Sequence, residues 1–447
     1  MNKNILLLLF VSPAFAAIPQ KANAAGVPIE FKGISHPVLS ETPDASTGLN
    51  AVYVLFSTTG ASFQFTSEQP SKVYTFSNLG AAYAQEVETY REGNSYSVQQ
   101  VEANRGYAIE TGSSTSYIWV VDYSSFAPEI MAIDFDQESD CSTLILNVSG
   151  KADAIPYYSI NGRKLELDRD IEVSYNTLRY NEDVGAFSEY KATEYLSHIG
   201  EKIHLDAPLC NTEISVSCDR FLKEWDLPEV TGISPYYNAI AVNAFTSAEQ
   251  MPHDADNEQN GDFDGLGGSA PCDIAFHAVV SDAAIFREWQ MSRDPEFNDI
   301  FYRDNNLDFS HIFQDEGITY VRFTASNDAA TCDYYSPAYE VSIGSSELVC
   351  PNAFSPGSSE GINDIWKVSF KSIIDFECHI FNRWGVCVSL FTNPADGWDG
   401  KYKGKFVPAG VYYYVIKARG ADGKNYSLKG DINIINQKKR LGASPNQ

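Results

Sequence analysis

The run Gly410-Val411-Tyr412-Tyr413-Tyr414-Val415-Ile416-Lys417 decides the fold of the C-terminal part of this chain. It is made of β-branched and aromatic residues without a breaker, so it predicts a central β-strand. Before it, Asn382-Arg383-Trp384-Gly385 lies between two short β-rich runs and predicts a tight hairpin, with Gly385 where a positive φ is needed. After it, Ala421–Lys424 predicts a second hairpin turn and residues 429–436 a closing strand. We therefore expect a small antiparallel sandwich.

Five sequence blocks surround this strand in a fixed order. They are Phe354-Ser355-Pro356; Gly361 with Asn363 and Asp364; Asn382-Arg383-Trp384-Gly385; Trp398-Asp399-Gly400; and Pro408, Gly410, Tyr412 and Tyr413. In this order and spacing they resemble the gliding-motility-associated C-terminal domain, the type B cargo signal of the type IX secretion system of Bacteroidota. The resemblance covers residues 349–440. It implies a small β-domain that an outer-membrane secretion machinery reads, and it implies no reaction.

Within this domain we expect the bulky signature residues to be structural. Trp384, Trp398 and the three tyrosines Tyr412–Tyr414 are interpreted as core and turn anchors. The loop 357–361 departs from the Asn-Gly-Asp-Gly of the family. No cation site of relatives is therefore transferred to it.

The N-terminus predicts export. Lys3 precedes the short apolar run Ile5–Val11, and small-residue cleavage sites follow it, so residues 1–24 are interpreted as a signal peptide, with cleavage after residue 16 as the alternative. No stretch approaches the roughly 20 apolar residues of a membrane-spanning helix. We therefore expect a protein at the cell surface or in the medium, without a transmembrane anchor.

Composition narrows the function classes. The chain has 447 residues and a formal net charge of −27, which argues against nucleic-acid binding because that needs a basic surface. Many Tyr and Phe residues, together with β-rich runs bounded by Gly, Ser, Asn and Asp, predict an all-β protein. The expected architecture is a tandem array of immunoglobulin-like or PKD-like antiparallel β-sandwich modules.

Breaks in composition suggest the module boundaries. The predicted modules cover residues 25–136, 137–232, 233–348 and 349–440, followed by a tail at 441–447. One short helix is expected at Ala186–Leu196, and a corner at Ser310–Asp315. Phe221–Trp225 and Phe286–Trp289 share a basic-Glu-Trp triplet and are both expected in strands.

All eight cysteines follow residue 140, and an even number in an exported chain predicts disulfides. Cys378 and Cys387 are expected to face each other across the predicted hairpin. Spacing also favours Cys272 with Cys332, and Cys141 with Cys210. Cys218 and Cys350 are then left over.

An acidic segment at residues 253–265 is a candidate calcium loop. Asp256, Glu258, Asn260, Asp262 and Asp264 supply oxygen side chains at suitable spacing, but the bidentate Glu of an EF-hand is missing. The alternative is a solvated, exposed insertion, and we expect no other metal or cofactor.

No pattern for catalysis is found. The seven histidines form no H-E-x-x-H pair, and G-x-S-x-G, P-loop and Rossmann patterns are missing. His277 is expected to be buried. The sequence thus favours a non-enzymatic adhesive or structural protein. A carbohydrate- or glycoprotein-binding protein that uses Trp225 or Trp289 as stacking platforms is the alternative, and a hydrolase with a cryptic site is the third possibility.

Overall fold

The computed structural model describes residues 26–200, 202–253, 255–259, 265–357, 361 and 363–435. Within them the chain forms four successive β-rich units, each with packed sheets. No helix in this part of the chain has the length and apolar character needed to cross a membrane. The predicted signal peptide and the tail at 441–447 lie outside the described residues.

The first unit has two sheets, ordered β1-β4-β8-β7 and β2-β3-β10-β9-β5-β6, with β3 and β10 parallel. Short 3₁₀ turns lie at Ala45–Thr47, Ala81–Tyr83 and Tyr123–Phe126. Its strands are β1 Glu30–Lys32, β2 Leu39–Glu41, β3 Ala51–Leu55, β4 Ser62–Thr66, β5 Ser71–Phe76, β6 Gln85–Val87, β7 Tyr90–Glu92, β8 Ser95–Val98, β9 Arg105–Thr111 and β10 Ser114–Asp122.

The second unit has sheets β11-β12-β17, β13-β14 and β16-β15-β18-β19. Its elements are β11 Glu129–Phe135, β12 Thr143–Lys151, β13 Ile155–Tyr158, β14 Lys164–Leu167, β15 Ile171–Asn181, β16 Ala186–Leu196, β17 Lys202–Asp206, β18 Ser215–Cys218, helix α1 Arg220–Glu224 and β19 Val230–Ile233.

The third unit packs sheet β20-β22-β25 against β21-β28-β26-β23-β24, with β27 paired to β26. Its strands are β20 Ala244–Gln250, β21 Leu266–Gly268, β22 Cys272–Val280, β23 Phe286–Ser292, β24 Ile300–Asp304, β25 Asp308–Phe313, β26 Gly317–Ser326, β27 Asp333–Tyr335 and β28 Tyr339–Ile343.

The fourth unit is built on the five-stranded sheet β30-β39-β38-β33-β34, with three small pairs, β29-β32, β31-β35 and β36-β37. The run Gly410–Lys417 lies in β38, between β33 and β39, as the sequence predicts. Its strands are β29 Glu347–Val349, β30 Ala353–Phe354, β31 Trp366–Lys367, β32 Ser369–Lys371, β33 Ile373–Phe381, β34 Cys387–Phe391, β35 Gly397–Trp398, β36 Lys401–Tyr402, β37 Lys405–Phe406, β38 Gly410–Gly420 and β39 Asn425–Ile434.

Three local predictions are wrong. Ala186–Leu196 is not a helix but strand β16, which pairs with β15 along all of its 11 residues, because cross-strand partners outweigh local helix propensity. Ser310–Asp315 falls largely within strand β25. Phe221–Trp225 belongs to the short helix α1 and its C-cap, which begins after Asp219 because that carboxylate accepts the Leu222 amide.

The first and second units share a core. Strand β10 is buried on both faces, with Ile118 in the core of the first unit and Trp119 in a second core. That second core is completed by residues of the second unit, including Ile155, Phe221 and Trp225.

The buried side chain of Arg169 crosses the same joint. It forms an ion pair with Asp219 at 2.6 Å and donates to the Phe126 and Asp153 carbonyls. Tyr123 donates to the same carboxylate at 2.9 Å.

A disulfide links the second and third units. It joins Cys141 to Cys332, with a Cα–Cα distance of 5.5 Å. Tyr180 and Phe245 stack across the same joint, with ring centroids 3.8 Å apart.

The predicted disulfide pairings are therefore wrong. Cys210 and Cys272 are buried free thiols, while their predicted partners bond to each other. Cys378 and Cys387 are also free, because the hairpin register pairs Cys378 with Phe391 and Cys387 with Phe381. In addition, Cys378 lies in the core whereas Cys387 is exposed on the surface.

The acidic segment does not project as a free loop where it is described. Asn257 donates to the carbonyls of Val368 and Pro394, and Gln259 donates its amide to Phe370. Asp256 pairs with Lys367 at 2.6 Å. The segment 255–259 thus docks on the fourth unit, because its backbone hydrogen bonds with β32. Asn260, Asp262 and Asp264 lie outside the described residues.

Candidate functional site

The signature residues of the fourth unit gather at one end of its main sheet. The hairpin β33-β34, the hairpin β36-β37 and the start of β38 meet there around a cavity of about 270 Å³. Trp384, Tyr402, Pro408 and Val411 are among its lining residues. We call this surface the hairpin end.

The first hairpin is shaped by the side chain of Asn382. Its Oδ1 accepts the amides of Trp384 at 2.9 Å and Val386 at 3.0 Å, and its carbonyl accepts the Gly385 amide. Gly385 has φ of 79°, which confirms the predicted positive φ. Asn382 and Gly385 therefore fix the hairpin tip.

Arg383 and Trp384 project from this tip. Trp384 is 72% exposed, and the Arg383 guanidinium lies 4.1 Å from its ring centroid. The expectation that Trp384 is a core or turn anchor is wrong, because the tight turn carries its side chain beyond the edge of the sheet. Its exposure leaves the indole available to a partner.

A cluster of buried aromatic side chains packs underneath the surface of the hairpin end, in the core of the fourth unit. Trp398 is 2% exposed and packs against Phe354 and Tyr412 at centroid distances of 5.4 and 5.1 Å. Its indole donates to the Lys401 carbonyl, and the Tyr412 hydroxyl donates to the Pro408 carbonyl. These residues are the structural anchors that the sequence predicts.

The tyrosines of β38 divide between the two faces of the sheet. Tyr412 is buried, whereas Tyr413 is 47% exposed, because side chains alternate along a strand. Tyr414 is half-buried, and its ring lies 5.3 Å from that of Trp366. The expectation that all three are core residues is therefore wrong for Tyr413.

The loop before β31 is organised by Asp364. Its carboxylate accepts the amides of Gly357 and Gly361, both at 2.9 Å, while the Asn363 carbonyl accepts the Ser355 amide. Asn363 has φ of 53°, in the left-handed region that Asn tolerates. These residues hold the loop through hydrogen bonds.

The second hairpin adds basic and aromatic side chains. Lys401 lies 5.1 Å from the Phe406 ring, and Lys403 lies 5.2 Å from the Tyr402 ring. Asp399 pairs with Lys401 at 2.7 Å and also accepts its amide. The alternation Lys401-Tyr402-Lys403-Gly404-Lys405-Phe406 is a signal for this surface that the sequence reasoning did not use.

The C-terminal segment differs from the rest of the chain in the sign of its net charge. Residues 349–447 contain 13 Lys and Arg against 8 Asp and Glu, a net charge of +5, whereas residues 1–348 contain 19 against 51, a net charge of −32. An acidic protein thus ends in a basic domain.

The tryptophans expected as glycan platforms are not exposed. Trp225 lies in the core between the first two units and donates to the Pro37 carbonyl, and Trp289 is fully buried in the third unit. His277, expected in the core, is instead exposed and lies 3.1 Å from Asp308, because its side chain points out of β22.

A different aromatic groove lies on the third unit. Phe286 and Tyr335, each more than half exposed, line a cavity of about 500 Å³ together with Glu288, Thr324 and Ser326. Phe286 pairs with Ser326 across β23-β26, and Tyr335 pairs with Thr324 across β26-β27. The two rings therefore flank a row of hydroxyls on one face. The sequence reasoning missed both residues, since exposure depends on which face of each strand is covered.

Burial also raises the pKa of several thiols. The pKa of Cys378 rises to about 12, and that of Cys218 to about 12, mainly because burial disfavours the thiolate. These cysteines are therefore poor nucleophiles. Within the described residues no group of three or more His, Cys, Asp or Glu side chains is arranged to hold a metal ion.

Comparisons with known proteins assign two regions of the chain. Residues 348–434 match the CHU_C type IX secretion signal domain, and residues 133–232 match the Fibronectin type III domain. The C-terminal domain is thus the type IX secretion signal that the sequence predicts, and it indicates export to the cell surface or the extracellular space. The fibronectin match confirms the all-β sandwich class. No curated protein matches the chain in sequence.

Three solved structures that align with the chain are distant from it in sequence and in shape. One is a tetra-tandem repeat in the extending region of a large adhesion protein, with 11% identity, covering 85% of this chain and 96% of that chain at a TM-score of 0.22. Another is the chicken CNTN1 FN1–FN3 domains, with 11% identity, covering 71% and 98% at 0.22. A third is the three N-terminal domains of the bacteriophage RB49 Hoc protein, with 8% identity, covering 70% and 100% at 0.21. At such TM-scores these likenesses carry no argument about function.

Proposed function

We propose that the protein is a non-enzymatic surface or secreted protein whose first three units are displayed outside the cell as adhesive or structural modules. The observation that carries this proposal is the secretion signal match at residues 348–434, on a domain whose signature residues form one folded unit. The fibronectin match at residues 133–232 supports a β-sandwich module in the second unit, and the adhesive or structural role is proposed for it by analogy of fold.

The test is to locate the protein in its native cells. We compare the full chain with a chain ending at residue 346, and we measure the amounts in periplasm, outer surface and medium. The truncated chain is expected to stay in the periplasm. The full chain in cells lacking the type IX machinery is the control, and it should be retained in the same way.

Stability of the truncated chain needs a separate check. Ala421 and Ile374 of the fourth unit pack against the core of the third, so truncation uncovers apolar surface. Protease resistance of the periplasmic material distinguishes a retained folded chain from a degraded one. A truncated chain that reaches the surface in normal amount would contradict the proposed delivery.

We infer that glycan binding is a second candidate function, and the groove between Phe286 and Tyr335 favours it. Aromatic faces that flank hydroxyl and carboxylate groups are suited to sugars, which stack on rings and form hydrogen bonds at their edges. Arg287, Glu288 and Asp333 supply further polar groups at this groove.

The purified full chain is to be titrated with a panel of bacterial and host oligosaccharides by calorimetry. Any binding is expected to fall by about tenfold or more in Phe286→Ala and Tyr335→Ala, the typical cost of losing an interface aromatic. Phe301→Ala, which also removes an exposed ring of the third unit, should leave binding unchanged. Equal loss in all three variants would speak against the groove.

A further inference from the structure

We infer that the hairpin end of the fourth unit is the face through which the chain docks on an acidic protein surface of the secretion machinery. This inference rests on the proposed delivery route, and it identifies the contact surface and the chemistry of its partner.

Exposure of Trp384 is the first observation. Trp and Arg are the residues that most often dominate the binding energy of protein interfaces. Here both stand together at the tip of one hairpin, stacked on each other. Asn382 holds that tip rigid through two amide hydrogen bonds, so little conformational entropy is lost when the pair is buried.

The second observation is the charge of this surface, which indicates the chemistry of the partner. Arg383, Lys401, Lys403 and Lys405 lie on the two hairpins of this end. The nearby carboxylates are engaged: Asp399 pairs with Lys401, Asp364 accepts backbone amides, and Asp431 of β39 accepts the Asn433 side-chain amide. Two further carboxylates of β33 lie away from the hairpin tip and pair with other side chains, Asp375 with Arg419 and Glu377 with His379. A basic surface on a chain that is otherwise strongly acidic is complementary to an acidic partner, and it steers association with one.

The course of the chain is the third observation. Strand β39 ends at Ile434, which pairs with Gly410 at the start of β38, so the described chain stops at the hairpin end. In the sequence, Lys438, Lys439 and Arg440 follow Ile435 within five residues, outside the described part of the chain, and add three positive charges to this terminus.

The opposite end of the sheet is occupied by the rest of the molecule. Ala421 accepts the Glu316 amide, and Asp422 accepts the Ser346 hydroxyl at 2.7 Å, so the β38-β39 turn lies against the third unit. The hairpin end is consequently the end of the fourth unit that faces away from its cargo.

The test uses the full chain in its native cells. One variant is Trp384→Ala, and another is Lys403→Glu with Lys405→Glu. We expect the exported fraction to fall by about tenfold or more in each, with the protein accumulating in the periplasm. Thermal unfolding of the purified variants should match that of the parent chain, because the substituted side chains are exposed.

Matched controls separate the surface from general effects. Lys417→Glu with Lys429→Glu makes the same charge change on exposed positions of β38 and β39 away from the hairpin end. Phe301→Ala removes an exposed ring from the third unit. Normal export of these controls, together with retention of the hairpin-end variants, supports the inference.

Other outcomes overturn it. If the hairpin-end variants are exported normally while the truncated chain stays in the periplasm, the hairpin end is not the docking face, although the proposed delivery route still holds. Export of the truncated chain refutes the delivery itself. Binding of the purified chain to vesicles of phosphatidylethanolamine and phosphatidylglycerol that requires Lys403 and Lys405 identifies an anionic lipid as the occupant instead. Self-association in sedimentation velocity that is lost in the same variant identifies a second copy.

Discussion

At the scale of single residues, Arg169 shows how much one buried charge depends on its partners. It is fully buried, and it is compensated by Asp219 and by two backbone carbonyls. Asp219 is also fully buried, and it accepts from Tyr123 and caps helix α1. This network of hydrogen bonds and the ion pair joins the first two units, so we expect its loss to destabilise both of them.

Replacing Arg169 by Met is expected to lower the free energy of unfolding by about 3–5 kcal/mol, because an unpaired carboxylate remains buried. Urea unfolding of the full chain, followed by tryptophan fluorescence, measures the transition of the joined units. Lys164→Met removes the exposed pair with Glu166, which solvent screens, and should change the free energy of unfolding far less than Arg169→Met does. A similar small effect for both variants would contradict the assigned role of Arg169.

At the scale of secondary-structure elements, the β38-β39 turn both closes a hairpin and holds a joint. Asp422 in this turn accepts the Ser346 hydroxyl and amide and the Lys424 amide, while Tyr426 donates to the Ser346 carbonyl. The hydrogen bond from the Ser346 side chain, with the backbone amides, lowers the pKa of Asp422 despite partial desolvation. The contact between the third and fourth units is therefore coupled to one carboxylate.

The depressed pKa of Asp422 predicts the pH dependence of this joint. A carboxyl whose pKa is lower in the folded state contributes stability above its unfolded pKa, near 4, and loses it as pH falls through the folded pKa. The protection of the Ser346 and Lys424 amides, measured as the hydrogen-exchange rate relative to the intrinsic rate at the same pH, should therefore be high at neutral pH and fall below about pH 4. In Asp422→Asn, the protection of these amides should be lower at neutral pH and should show no acid transition. An unchanged acid transition in that variant would show that another group is responsible.

At the scale of the whole molecule, the chain is an array of units joined by different chemistry. A shared core and a buried ion pair connect the first two, a disulfide and an aromatic stack connect the second and third, and hydrogen bonds connect the third and fourth. The Cys141–Cys332 disulfide closes a loop between two residues that are 191 positions apart in the sequence. Such a long closed loop restricts the unfolded chain strongly.

Replacing Cys141 and Cys332 by Ser is expected to destabilise the second and third units by about 5 kcal/mol in the chain-entropy description. Non-reducing peptide mapping of the parent chain should recover residues 141 and 332 in one linked pair. The control Cys210→Ser with Cys272→Ser removes two thiols and no cross-link. Free thiols at 141 and 332 in the exported protein would contradict the assignment.

The sequence by itself determined the features that depend on local pattern. The alternation of β38, the positive φ of Gly385 and the spacing of the signature blocks are written in neighbouring residues, so the C-terminal signal domain and the all-β class could be predicted. The buried roles of Trp398 and Tyr412 followed in the same way.

Only the tertiary structure decided the features that depend on what covers each face. Trp225 and Trp289, expected as exposed platforms, are buried because residues distant in sequence cover them, such as Phe56 and Tyr123 around Trp225. Cys141 meets Cys332 across a joint between units, although spacing favoured partners inside each unit. The segment 186–196 is a strand because β15 lies beside it. In each case the observed arrangement is stabilised by contacts with residues far away in the chain, and local periodicity does not encode those contacts.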